Sequence, residues 1–516
     1  MPWIVLALIS TPVAHAGVRA DFDGDGRGDL AIGAPLESVG SAPGTLFQAG
    51  AVHILYGARH RLGLAGDQLL TEDTSGIEGD GANPGAWFGD RFAVGDFDGD
   101  GYGDLAIGAP FKYLPGGYEM GAVHILYGSR RGLTLRGDQY LTENSPGIKG
   151  DGARSEDTFG FGLAAGDFNR DGRDDLAIGA PNKDVASQDS DDGAVHVLYG
   201  GRRQLRVRRD QYLTAKNLGY ATHLTAGGGF GTALAAGDLN GDRRADLVVG
   251  SPGEQVGNDH NAGAVRVLFG GADRLRRRGV RLFTEDSKRM AGPSADSFDE
   301  FGNSFAIGRF NSGWRGDLAI GVPDASDQRG AVHVLYGRRR GPSLRRDQYL
   351  TTRTPGINGR GWAFGYALAA GNLNGDRHHE LAIGAPPGNN GGAVHILYGA
   401  RRHLRVRSDQ LLTQATPGLA GDEIRADEQF GFALGVANFN GDRPSDLAIG
   451  EPQDFYDPQH GQCLTPGGGG VHVLYGARKR LSLKGDHFLT QDTPGIAGDG
   501  SEPCDAFGKA LVNPFG

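Results

Sequence analysis

One apolar segment, Leu-Ala-Ile-Gly-Ala or a close variant, returns seven times along the 516 residues. Its leucine falls at Leu30, Leu105, Leu176, Leu247, Leu318, Leu381 and Leu447, at steps of 75, 71, 71, 71, 63 and 66 residues. Such self-similarity dictates the fold class, because each copy must form the same supersecondary unit and bury its apolar face against the next copy. Every unit has four short apolar segments. The first opens with Phe-Gly, at Phe88, Phe159, Phe230, Phe301, Phe364, Phe430 and Phe507. The second is the repeated leucine segment. The third is Gly-Ala-Val-His-Ile/Val-Leu-Tyr-Gly, as in Gly121 to Gly128, and the fourth is Asp-Gln-x-Leu-Thr, as in Asp67 to Thr71. Short runs of strand formers bounded by glycine, proline and aspartate read as strands. The 90 glycines and the 22% of charged residues suit an all-β chain with many turns. Four strands repeated seven times predict a seven-bladed β-propeller.

The ends carry the register further. The repeat enters at Asp21 with no first segment before it, while Phe507 to Leu511 is a first segment with no loop after it. The C-terminal strand is therefore expected to complete the N-terminal blade, a closure that leaves no open sheet edge. Before Asp21, the apolar run Trp3 to Ile9 and the small-x-small triplet Ala14-His15-Ala16 predict a signal peptide over residues 1–16 and a secreted single-domain propeller over residues 17–516. No apolar run reaches the ~18 residues of a membrane span. A net charge of −10 argues against a nucleic-acid partner.

Between the first and second segments lies an acidic loop. In the first unit Asp21, Asp23, Asp25 and Asp29 occupy positions 1, 3, 5 and 9, with Gly26 at the turn. A hard cation such as calcium takes six to eight oxygens, and this spacing aims alternate side chains at one point while position 7, Arg27, offers only its carbonyl. An apolar strand follows the loop, so it is not an EF-hand. Unit two repeats the set as Asp96, Asp98, Asp100, Tyr102 and Asp104, and unit three as Asp167, Asn169, Asp171, Arg173 and Asp175. Unit four has Asp238, Asn240, Asp242, Arg244 and Asp246, with Arg243 where the turn glycine belongs, a residue strained at positive φ. Unit six offers Asn372, Asn374, Asp376 and Glu380, and unit seven Asn438, Asn440, Asp442 and Asp446, each with an arginine, Arg377 or Arg443, at the turn. Affinity should fall with ligand charge. Unit five keeps only Asp317, so no calcium is expected there, and Arg309 is expected to bring its guanidinium near the vacant position.

Phe-Gly, then Asp-x-Asp-Gly-Asp-Gly, then Gly-Ala-Pro resembles the FG-GAP repeat of integrin α-subunit propellers and of glycosylphosphatidylinositol-specific phospholipase D. The resemblance implies structural calcium in the acidic loops on a lower face and ligands on the opposite, upper face. Cys463 and Cys504 both fall in upper-face connections, and in a secreted protein they are expected to form a disulfide.

The remaining signals have simpler readings. Arg27-Gly28-Asp29 and Arg315-Gly316-Asp317 spell an integrin-recognised tripeptide, but both lie inside the acidic loops. Histidine recurs on the third segment at His53, His124, His196, His333, His395 and His472, with Arg266 in unit four, which marks it as architecture. No nucleophile elbow, zinc pair or phosphate loop is present. The turns between the third and fourth segments are basic throughout, as in Arg276-Arg277-Arg278 and Arg338-Arg339-Arg340, and the upper connections are often acidic, as at Glu72 to Asp80, Glu156-Asp157 and Asp189 to Asp192. A disc with a basic rim and an acidic face is expected. The function these features imply is a non-catalytic binding or cell-adhesion module with a protein or glycan ligand on the upper face, and an anionic cell-surface polymer as a further partner. The alternatives are an extracellular hydrolase of the phospholipase kind and a purely structural envelope protein.

Overall fold

A computed structural model describes residues 20–512 except 40–46, 65, 116–117, 186–190, 220–226, 360–361, 387–390, 422–428, 453–455, 458–461, 464–467 and 499–504. The expected signal peptide, residues 1–16, and Cys504 lie outside the described residues, as does the Cys463 side chain, and with them the expected disulfide. Seven antiparallel four-stranded sheets follow one another along the chain as the blades of a β-propeller. Blade two shows the pattern, with strands at Arg91–Gly95, Asp104–Ala109, Ala122–Tyr127 and Thr134–Leu141. Among the described residues the α-helical content is the single turn Ala325–Gln328.

The first strands form a ring around the axis. Arg91–Gly95 neighbours Gly162–Gly166, which neighbours Leu234–Gly237, and the series runs on through Ser304–Gly308, Ala367–Gly371 and Ala433–Ala437. The C-terminal strand Ala510–Leu511 sits between Ala433–Ala437 and Arg91–Gly95 and so closes the ring. It pairs with Leu30–Ala34 through Ile32 opposite Leu511 and Gly33 opposite Ala510, as the register of the ends predicts. Inner strands crowd at the axis, which is why they are built of alanine and glycine with few large side chains.

The motif residues hold neighbouring blades together. The Phe-Gly glycine takes positive φ in every blade, from 87° at Gly508 to 101° at Gly231. Its carbonyl presses on the glycine of the preceding blade's second strand. A methyl group added there would lie 2.1 Å from the Gly89 oxygen at Gly33, 2.0 Å from the Gly508 oxygen at Gly450, and no more than 2.5 Å from its neighbour at any of the seven positions. The Phe-Gly phenylalanine is buried and meets its own blade's third-strand histidine edge-on: Phe159 with His196, Phe364 with His395 and, across the two chain ends, Phe507 with His53. In blade four the Arg266 guanidinium lies over Phe230 instead. The histidines are thus part of the blade core, as their regular spacing predicts.

On the outer side, a tyrosine at the end of the third strand accepts a backbone N–H from the next blade in six of the seven blades, Phe269 standing there in blade four. Tyr56 takes that of Leu133 at 3.0 Å, Tyr398 that of Leu481 at 3.0 Å, and Tyr475 that of Leu62 at 2.8 Å across the seam. A Tyr475→Phe substitution orphans a buried N–H and is expected to cost about 1–3 kcal/mol, read as a lower urea midpoint. An unchanged midpoint would mean that the seam is not closed this way in solution.

Candidate metal centres

Each acidic loop folds back on the carboxylate or amide at its first position. Asp21 accepts the N–H groups of Asp25 and Gly26 at 3.0 and 2.9 Å, and Asp96 those of Gly99, Asp100 and Gly101 at 2.7 to 3.0 Å. Asp167 and Asp238 do the same in blades three and four. This is the local bonding by which aspartate favours turns over regular structure. Arg243 does take positive φ, at 66°, as its place in the turn demands, whereas Arg377 and Arg443 do not.

The ninth position is a buried anchor. Asp29, Asp104, Asp175, Asp246, Glu380 and Asp446 are fully buried, and Asp317 nearly so. One oxygen of Asp104 accepts the Phe97 N–H of its own loop at 2.7 Å and the other the Gly128 N–H at the end of the third strand at 2.9 Å. Asp29, Asp175, Asp246 and Asp446 repeat this pair of bonds. The two Arg-Gly-Asp sequences are consequently not exposed recognition loops, since Asp29 and Asp317 point into the protein.

In blades one and two the anchor joins a group of carboxylates. Asp21, Asp23 and Asp29 bring ligand oxygens within 4.8 Å of one another, and so do Asp96, Asp98 and Asp104. Burial, opposed by the Gly57 and Phe22 N–H groups and helped by the charges of Asp23 and Asp21, pushes Asp29 up to about 8. Burial and the Asp100 charge push Asp98 up to about 6. Crowded carboxylates of this kind, with hard oxygens on one side of a tight loop, suit a divalent cation. The fifth-position residues Asp25 and Asp100 lie outside these groups and accept the seventh-position N–H groups of Arg27 and Tyr102 at 2.9 and 3.0 Å. Asp171 and Asp242 do likewise with Arg173 and Arg244. In blade three the Asn169 Oδ1 is buried with no donor. The Asn438 Oδ1 of blade seven is also buried without a donor.

Two blades fill the position with an amide. Asn240 Nδ2 donates to both Asp246 oxygens at 3.0 and 3.1 Å, and Asn311 Nδ2 to both Asp317 oxygens at 3.0 and 2.8 Å. In blade five it is this amide, not the exposed Arg309, that faces the anchor, which corrects the expectation for that loop. In blade six Asn374 Nδ2 reaches Glu380 at 3.2 Å.

Sequence reasoning missed how the loops interlock. The eighth-position N–H of each blade donates to the first-position carbonyl of the blade before it, from Gly103 to Asp21 at 2.9 Å round to Gly28 to Asn438 at 2.7 Å. The seventh-position side chain then lies over the fourth position of the same neighbour: Tyr102 over Gly24, Arg173 over Gly99, Pro444 by Gly375 and Arg27 over Gly441. In blade six His378 bonds Ser312 there at 3.1 Å. Glycine at the fourth position was the available signal.

The upper connections also differ from expectation. Glu72 and Asp157 are buried ion-pair partners of Lys112 and Lys183, at 3.0 and 2.8 Å, so part of the expected acidic face is interior. Each lysine needs an internal counter-ion, and these carboxylates supply it.

The FG-GAP repeat family profile matches residues 14–55, 88–126, 159–198, 230–268 and 364–397. The chain carries FG-GAP repeats. A phosphatidylinositol-glycan-specific phospholipase D of Rattus norvegicus is 27% identical over 417 residues, 77% of this chain and 47% of that protein. Integrin alpha-PS2 of Drosophila melanogaster is 27% identical over 235 residues, 44% of this chain and 15% of that protein, and integrin alpha-PS5 is 33% identical over 191 residues, 35% and 17% respectively. The chain spans about half the length of the phospholipase and a smaller share of the integrins. The unmatched blades five and seven include the loop that keeps only one acidic position.

Replacing Asp317 by alanine removes the acceptor for the Gly337 N–H, which Asp317 takes at 2.8 Å, and for the Asn311 amide. A loss of about 2–4 kcal/mol is expected, independent of calcium, in urea melts with and without chelator.

Proposed function

We propose that the protein is a secreted, calcium-stabilised propeller that acts as a non-catalytic binding or adhesion module, with a protein or glycan ligand on the upper face. The observation that carries this reading is the exposure of large aromatic side chains on the described upper connections: Phe47 is 71% exposed, Phe298 61% and Trp362 46%. Phe47 lies between the second and third strands of blade one, and the other two lie in the connections entering blades five and six. Solvated aromatics set on the rigid ends of blades are the side chains that contribute most when a partner covers them. The relatives include proteins named as integrin α subunits, which supports a binding role, and proteins named as phospholipases, which keeps a hydrolase as the alternative. No described helix is long and apolar enough to cross a membrane.

Calcium on this reading is held by Asp21, Asp23 and Asp29, by Asp96, Asp98 and Asp104, and by the loop of Asp167 and Asn169. It would neutralise carboxylates that otherwise repel one another in the partly buried loops, and no reaction step passes through it. A second partner is favoured by the outer rim. Arginines such as Arg203, Arg278, Arg340 and Arg402 are exposed in successive blades, on the side of the acidic loops, where a linear anionic polymer could contact several blades at once.

Adding calcium to chelated protein should raise the melting temperature, and Asp98→Asn should reduce the rise; no calcium response would remove the metal from this reading. A surface-glycan and protein screen with Trp362→Ala and Phe298→Ala as paired variants tests the upper face, with loss of binding at unchanged melting temperature as the expected result. Calcium-dependent phosphodiesterase activity in the wild type would favour the hydrolase. Elution from an anionic polysaccharide matrix should require salt, and less of it for Arg339→Glu with Arg340→Glu.

A further inference from the structure

Blades two and three each bury a lysine against carboxylates, and blade five keeps the carboxylates without the lysine. In blade three Glu143 Oε1 meets His196 Nε2 at 3.1 Å, while its Oε2 meets Lys183 Nζ at 3.2 Å; Asp157 Oδ2 lies 2.8 Å from the same nitrogen. In blade two Glu72 bridges His124 and Lys112 in the same way, at 3.1 and 3.0 Å. One backbone bond fixes where the lysine stands. The glycine that opens the third segment donates to the lysine carbonyl, Gly121 to Lys112 at 3.2 Å and Gly193 to Lys183 at 2.9 Å.

In blade five that bond runs from Gly330 to Ala325 at 2.9 Å. Ala325 is buried and brings no charge. Blade five keeps the glutamate and the aspartate two residues before the Phe-Gly phenylalanine, while the further aspartate that meets each lysine, Asp80 at 3.2 Å and Asp151 at 3.1 Å, is replaced by Pro293. Glu285 Oε1 meets His333 Nε2 at 2.9 Å, and Asp299 Oδ2 accepts the Asp296 N–H at 2.7 Å, as Asp157 accepts that of Arg154. Glu285 and Asp299 are only 4% and 5% exposed. Glu285 Oε2, the counterpart of the oxygen that holds the lysine in blades two and three, is buried and meets no N–H donor, and the Glu285 and Asp299 carboxyl groups stand within hydrogen-bond reach of each other. Asp324 adds its charge beside Asp299. The histidine does not compensate: burial drives His333 down to about 4, whereas Asp210 and Glu143 overcome burial and raise His196 to about 9.

We propose that blade five binds a monovalent cation of ammonium size, potassium in the first instance, between Glu285 and Asp299, where blade three places the Lys183 ammonium between Glu143 and Asp157. A buried carboxylate pair without a counter-ion is costly, and the blade scaffold already shapes an ammonium position there. Size favours potassium over calcium. The carboxylate oxygens around the two lysines stand at 2.8 to 3.2 Å from Nζ, wider than a calcium shell of about 2.3–2.6 Å. The site is separate from the acidic loops, on the other end of the blade.

The test is the melting temperature of the full chain at pH 8 in saturating calcium, with potassium, ammonium, sodium or tetramethylammonium chloride at equal ionic strength. A ligand that binds only the folded state raises the melting temperature with its concentration. Potassium and ammonium are expected to raise it above sodium, and sodium above or equal to tetramethylammonium. The Ala325→Lys variant, which rebuilds the internal ammonium, is expected to be as stable in tetramethylammonium as the wild type in potassium and to lose the potassium response. Equal melting temperatures of the wild type in all four salts, or a full potassium response in Ala325→Lys, would overturn the proposal, leaving a proton shared by Glu285 and Asp299. Should that variant not fold, the wild-type salt series decides, together with anomalous density for thallium(I) between the two carboxylates in soaked crystals; its absence there counts against the site.

Discussion

The propeller depends on one close contact, the carbonyl of a Phe-Gly glycine against the second-strand glycine of the blade before it. Neither residue tolerates a β-carbon, one because its φ is positive and the other because the oxygen occupies the space. The contact brings successive sheets near enough for the inner strands to form a ring. It also explains why the two motifs named by this repeat are conspicuous in the sequence although they stand far apart within each unit. Phenylalanine fills the space beside that contact, and the third-strand histidine is held by it on one side and by buried carboxylates on the other.

The acidic loops use their residues for two purposes. The ninth position ties a loop to the third strand through two backbone N–H groups, in loops with every degree of acidity, and so belongs first to the fold. The first and third positions vary on top of that anchor. Where the third residue is Asp23 or Asp98, three carboxylates converge; where it is Asn240 or Asn311, its amide hydrogens meet the anchor instead. In blades four and five asparagine thus replaces a cluster of carboxylates with a hydrogen-bonded amide without altering the loop's attachment.

The sequence announced the blade count, the strand assignments and the closure at Phe507 because all three are carried by period and register. It could also place the acidic positions. It could not tell that Asp29 is an anchor before it is a ligand, since the partner N–H of Gly57 lies 28 residues away and a backbone group has no signature. The contacts between Tyr102 and Gly24 or between Arg27 and Gly441 join different blades, and only the ring brings them together. The acidic look of the upper connections misled for a related reason. Glu72 and Asp157 read as solvated charges until their lysines, 40 and 26 residues on, are seen to be buried with them.

Those lysines show how the blades differ while the backbone repeats. The residue whose carbonyl receives the bond from the third segment's opening glycine is Glu37, Lys112, Lys183, Glu254 and Ala325 in blades one to five. Glu37 accepts from Gln491, each lysine meets the preceding connection's glutamate, and Glu254 takes the Arg266 guanidinium through two bonds at 2.6 and 2.7 Å, in the blade where arginine replaces histidine. In blades two, three and four the choice leaves the buried charge balanced, because one unpaired ion would cost more than the local packing returns. Blade five departs from that rule. With Ala325 in place of a base and His333 neutral, Glu285 and Asp299 have no cationic side chain beside them among the described residues, and that imbalance, together with its acid-poor loop, separates blade five from blades two, three and four.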